Sequence, residues 1–327
     1  MNTPTDGSAG SRAESLSAPD SVSSDPVVVE VRGLVKSYGR EQALAGVDLE
    51  VRRGEIFAFL GPNGAGKTTT VEILEGFRRR SGGEVTVLGT DPEHAGGAWR
   101  SRIGVVLQES QPEEELTVAE CVSLYAGYYP TSRPVSATLE LVGLSDRPEV
   151  RCRDLSGGQR RRLDVALALI GDPELVFLDE PTTGFDPASR RATWEIIAGL
   201  RDLGKTIFLT THYMEEAEFL ADRIAVIARG RIVAEGTSAG LGDRSSRHSK
   251  VSFTVPDGLA FSELSAAILP DIASSANGRV EIRTDRALAL VGALSSLADE
   301  RGIDLPDLEV TRPTLEDVYL ELTEDAG

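Results

Sequence analysis

Eight consecutive residues, Gly61-Pro62-Asn63-Gly64-Ala65-Gly66-Lys67-Thr68, fit the spacing G-x-x-x-x-G-K-[ST]. Each residue type has a reason to stand there. Glycines let successive backbone N–H groups converge on anionic oxygens with no side chain in the way. Lys67 adds a full positive charge that suits β- and γ-phosphates, and the Thr68 hydroxyl is placed to ligate Mg²⁺. The apolar run Glu55 to Leu60 precedes the loop and the helical run Thr68 to Leu74 follows it, so a helix N-terminus adds its positive dipole. Lysine occurs elsewhere only at Lys36, Lys205 and Lys250, which makes a lysine inside a glycine-rich loop hard to ascribe to composition.

A second constellation lies downstream. Leu175-Val176-Phe177-Leu178-Asp179-Glu180 reads as a buried strand ending in two carboxylates. The carboxyl edge of an open α/β sheet aims such groups at the ligand crevice. There Asp179 is expected to hold Mg²⁺, directly or through water, and Glu180 to polarise an attacking water as general base. Alone the pair could equally be an acidic strand-end turn. The third stretch is Leu155-Ser156-Gly157-Gly158-Gln159-Arg160, where a serine and two glycines open the helical run Arg160 to Ile170. That is a second anion-receptive helix start, and one phosphate loop does not require two.

These motifs, in this order, resemble the nucleotide-binding subunits of ATP-binding-cassette (ABC) transporters, over roughly Val29 to Gly236. Leu155 to Gln159 spells that family's signature. The resemblance implies ATP and Mg²⁺ as cofactors, with Gly61 through Thr68 and the neighbouring Thr69 on the phosphates. It implies that Tyr38 stacks on adenine, a contact contributing roughly 0.5–1.5 kcal/mol. It further implies that Gln108 senses Mg²⁺ and the attacking water, that Asp186 lies in the loop crossing a dimer interface, and that His212 contacts the γ-phosphate. Phe185 departs from the family's usual leucine but leaves Asp186 in place. Two copies are then expected to pair head to tail, each ATP held between one chain's phosphate loop and Ser156, Gly157, Gly158 and Gln159 of the other. A separate membrane permease would be the partner, at the cytoplasmic face of the membrane.

The elements that must position these residues form an alternating pattern. Val27 to Val31, Ile56 to Leu60, Val85 to Leu88, Ile103 to Leu107, Leu175 to Leu178, Thr206 to Leu209 and Ile224 to Ile227 read as strands, several of them between helices. The expected fold is α/β: a P-loop NTPase with a mostly parallel sheet, an antiparallel β part and a helical insertion, plus a small α+β domain. The insertion is expected from about residue 108 to 160, opening with Thr117 and Glu120 spaced as a capping box. Residues 27–240 form the ATPase domain in this reading, 1–26 a Ser/Pro/Gly-rich disordered tail, and 241–250 a linker. Residues 251–327 form the accessory domain, with strands near Val251 to Val255, Val280 to Arg283 and Leu308 to Thr311, and a last helix near Thr314 to Leu322. The tail Pro313 to Leu320 is similar to exporter ATPases of the daunorubicin/doxorubicin-resistance type, which implies export of a drug, antibiotic or other hydrophobic compound. An importer ATPase and a non-transport ABC ATPase are the alternatives.

Composition narrows the field. With 34 basic against 52 acidic side chains in 327 residues, the net charge of −18 disfavours binding to nucleic-acid phosphates or anionic lipid heads. Docking on a protein is the expected route to a membrane, since no run approaches the ~18 apolar residues of a membrane helix. Cys121 and Cys152 fit neither a disulfide framework nor a metal-ligand spacing, which points to a reducing compartment. His94 and His248 are expected to be solvated, Trp99 and Trp194 to pack, and Tyr125, Tyr128 and Tyr129 to favour core packing over partner contact.

Overall fold

A computed structural model describes residues 25–107, 113–245, 249–255, 273–276, 278–284, 286–305 and 307–311. In chain order these carry β1 (Val27–Tyr38), β2 (Glu41–Arg52), β3 (Ile56–Leu60), α1 (Lys67–Leu74), β4 (Gly82–Val87), α2 (Gly97–Arg100) and β5 (Ile103–Val106). There follow α3 (Val118–Ala126), α4 (Val135–Leu141), α5 (Gly157–Leu169), β6 (Leu175–Asp179), α6 (Pro187–Asp202), β7 (Thr206–Thr211), α7 (Met214–Leu220), β8 (Arg223–Ala228) and β9 (Arg231–Gly236). The remainder is α8 (Ser238–Ser245), β10 (Ser249–Thr254), β11 (Ala273–Ala276), β12 (Arg279–Thr284), α9 (Ala287–Arg301) and β13 (Glu309–Thr311).

The central six-stranded sheet runs β5-β6-β7-β3-β8-β9, parallel except for β9. All five residues of β3 are buried, as are all of β6, the mark of parallel strands covered on both faces. Side chains of β3 alternate between two cores. Ile56, Ala58 and Leu60 join residues of α3 to α7, whereas Phe57 and Phe59 join those of β1, β2, β4 and α1. Phe208 sits among Phe57, Phe59 and Phe177 with ring centroids 5.6–5.7 Å apart, pairs that contribute about 0.5–1.5 kcal/mol each beyond simple burial.

Register fixes where the strands end. Leu60 pairs with Thr211 and Asp179 with Thr210, so β3, β6 and β7 finish side by side. The antiparallel part is a separate three-stranded sheet, β2-β1-β4. Its edge strand β2 escaped the sequence reading because the alternation of Val47, Leu49 and Val51 is interrupted near Gly46, where the β1–β2 register shifts.

The helical insertion holds α3 and α4 within the described residues. Thr117 and Glu120 do form the reciprocal capping box at the start of α3. Cys121 and Cys152 are free and buried there. Helix α8 occupies the first half of the segment read as a linker. Beyond it, β11-β12-β10-β13 makes an antiparallel sheet whose Val251, Phe253, Val280 and Ile282 pack on Leu290 and Leu294 of α9. The helix expected near Thr314 to Leu322 lies outside the described residues, as do His248 and Gln108. Among the described residues no helix is long and apolar enough to cross a membrane.

Candidate functional site

The loop between β3 and α1 wraps one wall of a cavity of about 440 Å³. Asn63, Gly64, Gly66, Lys67, Thr68 and Thr69 line it from this side, and Glu180, Thr183 and His212 from the ends of β6 and β7. The loop is close-packed from behind. A Cβ at Gly61 would fall 2.5 Å from the Ile227 carbonyl oxygen, and one at Gly66 would fall 2.6 Å from a Leu44 methyl and 2.9 Å from the Ala43 carbonyl oxygen. Gly66 also holds φ +111°, a region open chiefly to glycine. Pro62 and Ala65 complete the turn, the Ala65 amide donating to the Pro62 carbonyl at 3.2 Å.

Lys67 is buried, yet it is fully partnered. Its ammonium donates to the Gly61 carbonyl at 2.8 Å and to Pro62 at 3.3 Å, and lies 3.2 Å from the Glu180 carboxylate. Glu180 has a left-handed backbone, φ +47°, that costs a non-glycine residue about 1–2 kcal/mol. The conformation is held by the Glu180 amide, which donates to the Thr210 carbonyl at 3.1 Å and to the Thr210 hydroxyl at 3.0 Å. The carboxylate also accepts from the Thr183 hydroxyl at 3.1 Å. Burial works to raise its pKa, but the Lys67 charge and hydrogen bond, with His212 and Thr183, outweigh it, and the net direction is down. Glu180 is therefore an anion at neutral pH. His212 places Nδ1 3.3 Å from Glu180, though not in hydrogen-bond alignment, and that nitrogen is buried with no partner.

Asp179 lies below, buried, and accepts hydrogen bonds from the Thr210 and Thr68 hydroxyls. Burial raises its pKa against the Thr210 bond. Thr68 and Asp179 thus offer adjacent hydroxyl and carboxylate oxygens, the hard donor set that suits Mg²⁺. Behind them Glu75, at the end of α1, is buried with Oε2 unpartnered, and burial together with the charges of Asp179 and Glu72 pushes its pKa up to about 8.

Tyr38, the Ser156–Gln159 stretch and Asp186 stand apart from this cavity. Tyr38 is exposed at the end of β1, with the Lys36 ammonium and the Arg78 guanidinium 5.0 and 5.3 Å from its ring centroid. Ser156 caps α5 through a reciprocal capping box with Gln159 and is exposed, as is Gly157 beside it. Gly158 follows, with Ser189 of α6 alongside. Asp186 caps α6, its carboxylate accepting from the Ala188 and Ser189 amides at 3.0 Å and from the Ser189 hydroxyl. Those Ser189 and Ala188 bonds hold its pKa low. Trp99 and Trp194 are packed, their indole N–H groups donating to the Val87 carbonyl and to Glu216. Tyr125 and Tyr129 are half-buried against the core, but Tyr128 is 73% exposed.

The sequence reading missed Thr183, Glu75 and Arg161. Thr183 stood three residues beyond Glu180 in a turn, a spacing that could have suggested it. Arg161 is buried and donates to the backbone carbonyls of Pro181 at 3.1 Å, Asp179 at 3.0 Å and Leu107. Nothing in its stretch of charged residues distinguishes it from exposed neighbours.

A phosphate cradle at the carboxyl edge of a parallel sheet, facing a carboxylate and a histidine, defines a P-loop nucleoside-triphosphatase. The model for the family described as ABC transporter matches residues 44–183, and that of the ABC transporter domain-containing protein-like C-terminal domain matches 249–314. The chain is 39% identical to "Daunorubicin resistance ATP-binding protein DrrA3" of Streptomyces coeruleorubidus, over 91% of its own length and 96% of that protein. It is 46% identical to "Nod factor export ATP-binding protein I" of Cupriavidus pinatubonensis, over 64% of its own length and 66% of that protein. Among solved structures, cbiO1 of Clostridium perfringens, part of an ABC transporter complex, aligns with a TM-score of 0.61 at 26% identity, over 67% of this chain and 92% of the other. The dimeric cassette MJ0796, in a post-hydrolysis state bound to ADP and Pi, aligns at 0.58 and 26% identity, over 64% of this chain and 98% of the other. The chain belongs to the ATP-binding subunits of ABC transporters, and its enzymatic activity is ATP hydrolysis powering transport.

Proposed function

We propose that this subunit drives export of a drug-like, antibiotic or other hydrophobic compound through a separate permease, acting as a head-to-tail pair of identical chains at the cytoplasmic face of the membrane. The names of its relatives, daunorubicin resistance and Nod factor export, favour outward transport. Residues 27–240 are the motor in this reading and 251–327 an accessory domain.

One observation carries the dimer. Lys67, Glu180 and His212 share one cavity, while Ser156 and Gly157 face solvent outside it. A helix start that presents its amides outward satisfies no phosphate of its own chain. In the pair, Ser156, Gly157, Gly158 and Gln159 of one copy close over the nucleotide of the other, with Asp186 at the shared boundary.

Within each site, Gly61 to Thr69 hold the phosphates and Tyr38 offers its ring to the base. The Thr68 hydroxyl and the Asp179 carboxylate, joined by Gln108, would hold Mg²⁺, which supplies charge neutralisation on the phosphates when bound. Glu180, already ionised, accepts the proton of the attacking water at its carboxylate. His212 orients toward the terminal phosphate from the opposite wall. Once that phosphate is lost, the two chains lose their shared anion and separate, a change the permease turns into alternating access.

Inspection of the neighbouring genes for a polytopic protein and co-purification with it, followed by ATPase assays over candidate compounds, tests this reading. Stimulation by transported hydrophobic compounds is expected. A neighbouring periplasmic-type binding protein, with stimulation by that protein instead, would overturn export.

A further inference from the structure

The helix that begins at Asp186 also reaches the catalytic wall. One turn into α6 the Arg190 amide donates to the Asp186 carbonyl at 3.0 Å. The Arg190 guanidinium then lies over the face of Tyr213, its carbon 4.2 Å from the ring centroid. Tyr213 in turn packs on His212, with ring centroids 4.1 Å apart and planes 40° apart. His212 ends 3.3 Å from Glu180. The Arg190 Nε is buried with no hydrogen-bond partner, so the contact that orients this part of the guanidinium is the aromatic ring.

The two rings sit where β7 passes into α7. At Tyr213 the amide donates to the Thr211 hydroxyl at 2.9 Å and the carbonyl accepts from the Ala217 amide at 3.3 Å, and α7 begins at Met214. The β7–α7 junction carries no side-chain cap at Tyr213. These backbone bonds do not reach the imidazole, which packs on the Tyr213 ring and lies beside the Glu180 carboxylate.

We propose that Arg190 is a positioning residue for hydrolysis: from α6 it clamps the Tyr213 ring and thereby fixes His212 against Glu180. The clamp makes the orientation of His212 depend on the position of the Asp186 loop, so a second copy seated on that loop is felt at the imidazole of the first. The inference rests on the proposed roles of Glu180 and His212.

The test uses the full chain and four variants: Arg190→Met, Tyr213→Leu, Tyr213→Phe and His212→Ala. Turnover at saturating ATP, KM, melting temperature and binding of a fluorescent ATP analogue are measured for each. Loss of an orienting contact is expected to lower kcat about tenfold in Arg190→Met and Tyr213→Leu, with KM, analogue binding and melting temperature unchanged. Tyr213→Phe keeps the ring and should recover most of the turnover lost in Tyr213→Leu. Full turnover in Arg190→Met while His212→Ala is inactive would overturn the clamp and leave the role of His212 standing. Full turnover in His212→Ala would overturn both. A fall in melting temperature that accounts for the lost turnover, or a raised KM at unchanged kcat, would assign Arg190 to folding or to the interface instead and end the proposal.

Discussion

The Lys67 ammonium stands 3.2 Å from the Glu180 carboxylate, with 4% and 10% of the two side chains left to solvent. A charge pair so placed is self-neutralising, and the ionised Glu180 occupies the attention of the cation that a terminal phosphate would seek. At an effective dielectric near 20 such a pair attracts with roughly 5 kcal/mol, against which desolvation of both ions must be set.

Replacing Glu180 by Gln removes the proton acceptor and the competitor for Lys67 together. Steady-state turnover should fall by at least about a hundredfold, while ATP affinity, read by equilibrium binding, is retained or tightened a few-fold. Turnover equal to the parent's would remove Glu180 from the base role.

A charged side chain at Ser156 tests the shared site. Ser156→Arg breaks the capping box with Gln159 and, in the proposed pair, projects bulk toward the partner's nucleotide. Binding of ATP to the single chain should survive, but turnover should drop more than about tenfold and ATP-driven dimers should vanish in light scattering. Parental turnover in this variant would reduce the assignment to a single-chain phosphate-loop enzyme.

Glu75 makes stability pH-dependent with a definite sign. Its folded pKa is raised to about 8, above the ordinary carboxylate value, so the folded state holds a proton that the unfolded chain has released between those limits. Its contribution is full below about pH 4.5 and is lost as the pH rises through 8. Denaturation midpoints from pH 5 to 8.5 should show a decline that Glu75→Gln flattens, the difference being on the order of 1–3 kcal/mol at the alkaline end. Parallel curves for the two proteins would show that the buried carboxyl is not the titrating group. Glu180 slopes the other way: its lowered pKa gives stability above the ordinary carboxylate range that is lost in acid.

Two glycines of the phosphate loop should differ in cost. Gly61→Ala drives a methyl to 2.5 Å from the Ile227 carbonyl oxygen and should destabilise by about 1–3 kcal/mol while displacing the loop. Gly64→Ala meets nothing within 4 Å and bears only the strain of φ +80°, about 1–2 kcal/mol. Thermal melts of both variants, with ATP binding, separate backbone strain from close packing.

Much of the site was legible because its parts are contiguous. The run Gly61 to Thr68 and the run Leu155 to Gln159 each declare their chemistry within a few residues, and strand-ending carboxylates at Asp179 and Glu180 follow from an apolar run that stops. The parallel strands could be read because burial on both faces leaves an unbroken apolar stretch, as in β3 and β6. What escaped depends on tertiary approach. Thr210 reaches Asp179 only because β6 and β7 are adjacent and in that register, and Glu75 becomes a proton-holding acid only because α1 ends beside Asp179. Arg190 and Tyr213 are separated by more than twenty residues, and neither carries a local pattern that announces the other.

Arg161 turns three separate chain segments into one mechanical part. Its guanidinium, rooted in α5, grips the carbonyls of Leu107, Asp179 and Pro181, so the helix that bears Ser156 at its tip is riveted to the floor on which Asp179 rests. A push on the outward tip is accordingly delivered to the base of its own chain's cavity with no slack joint at that rivet.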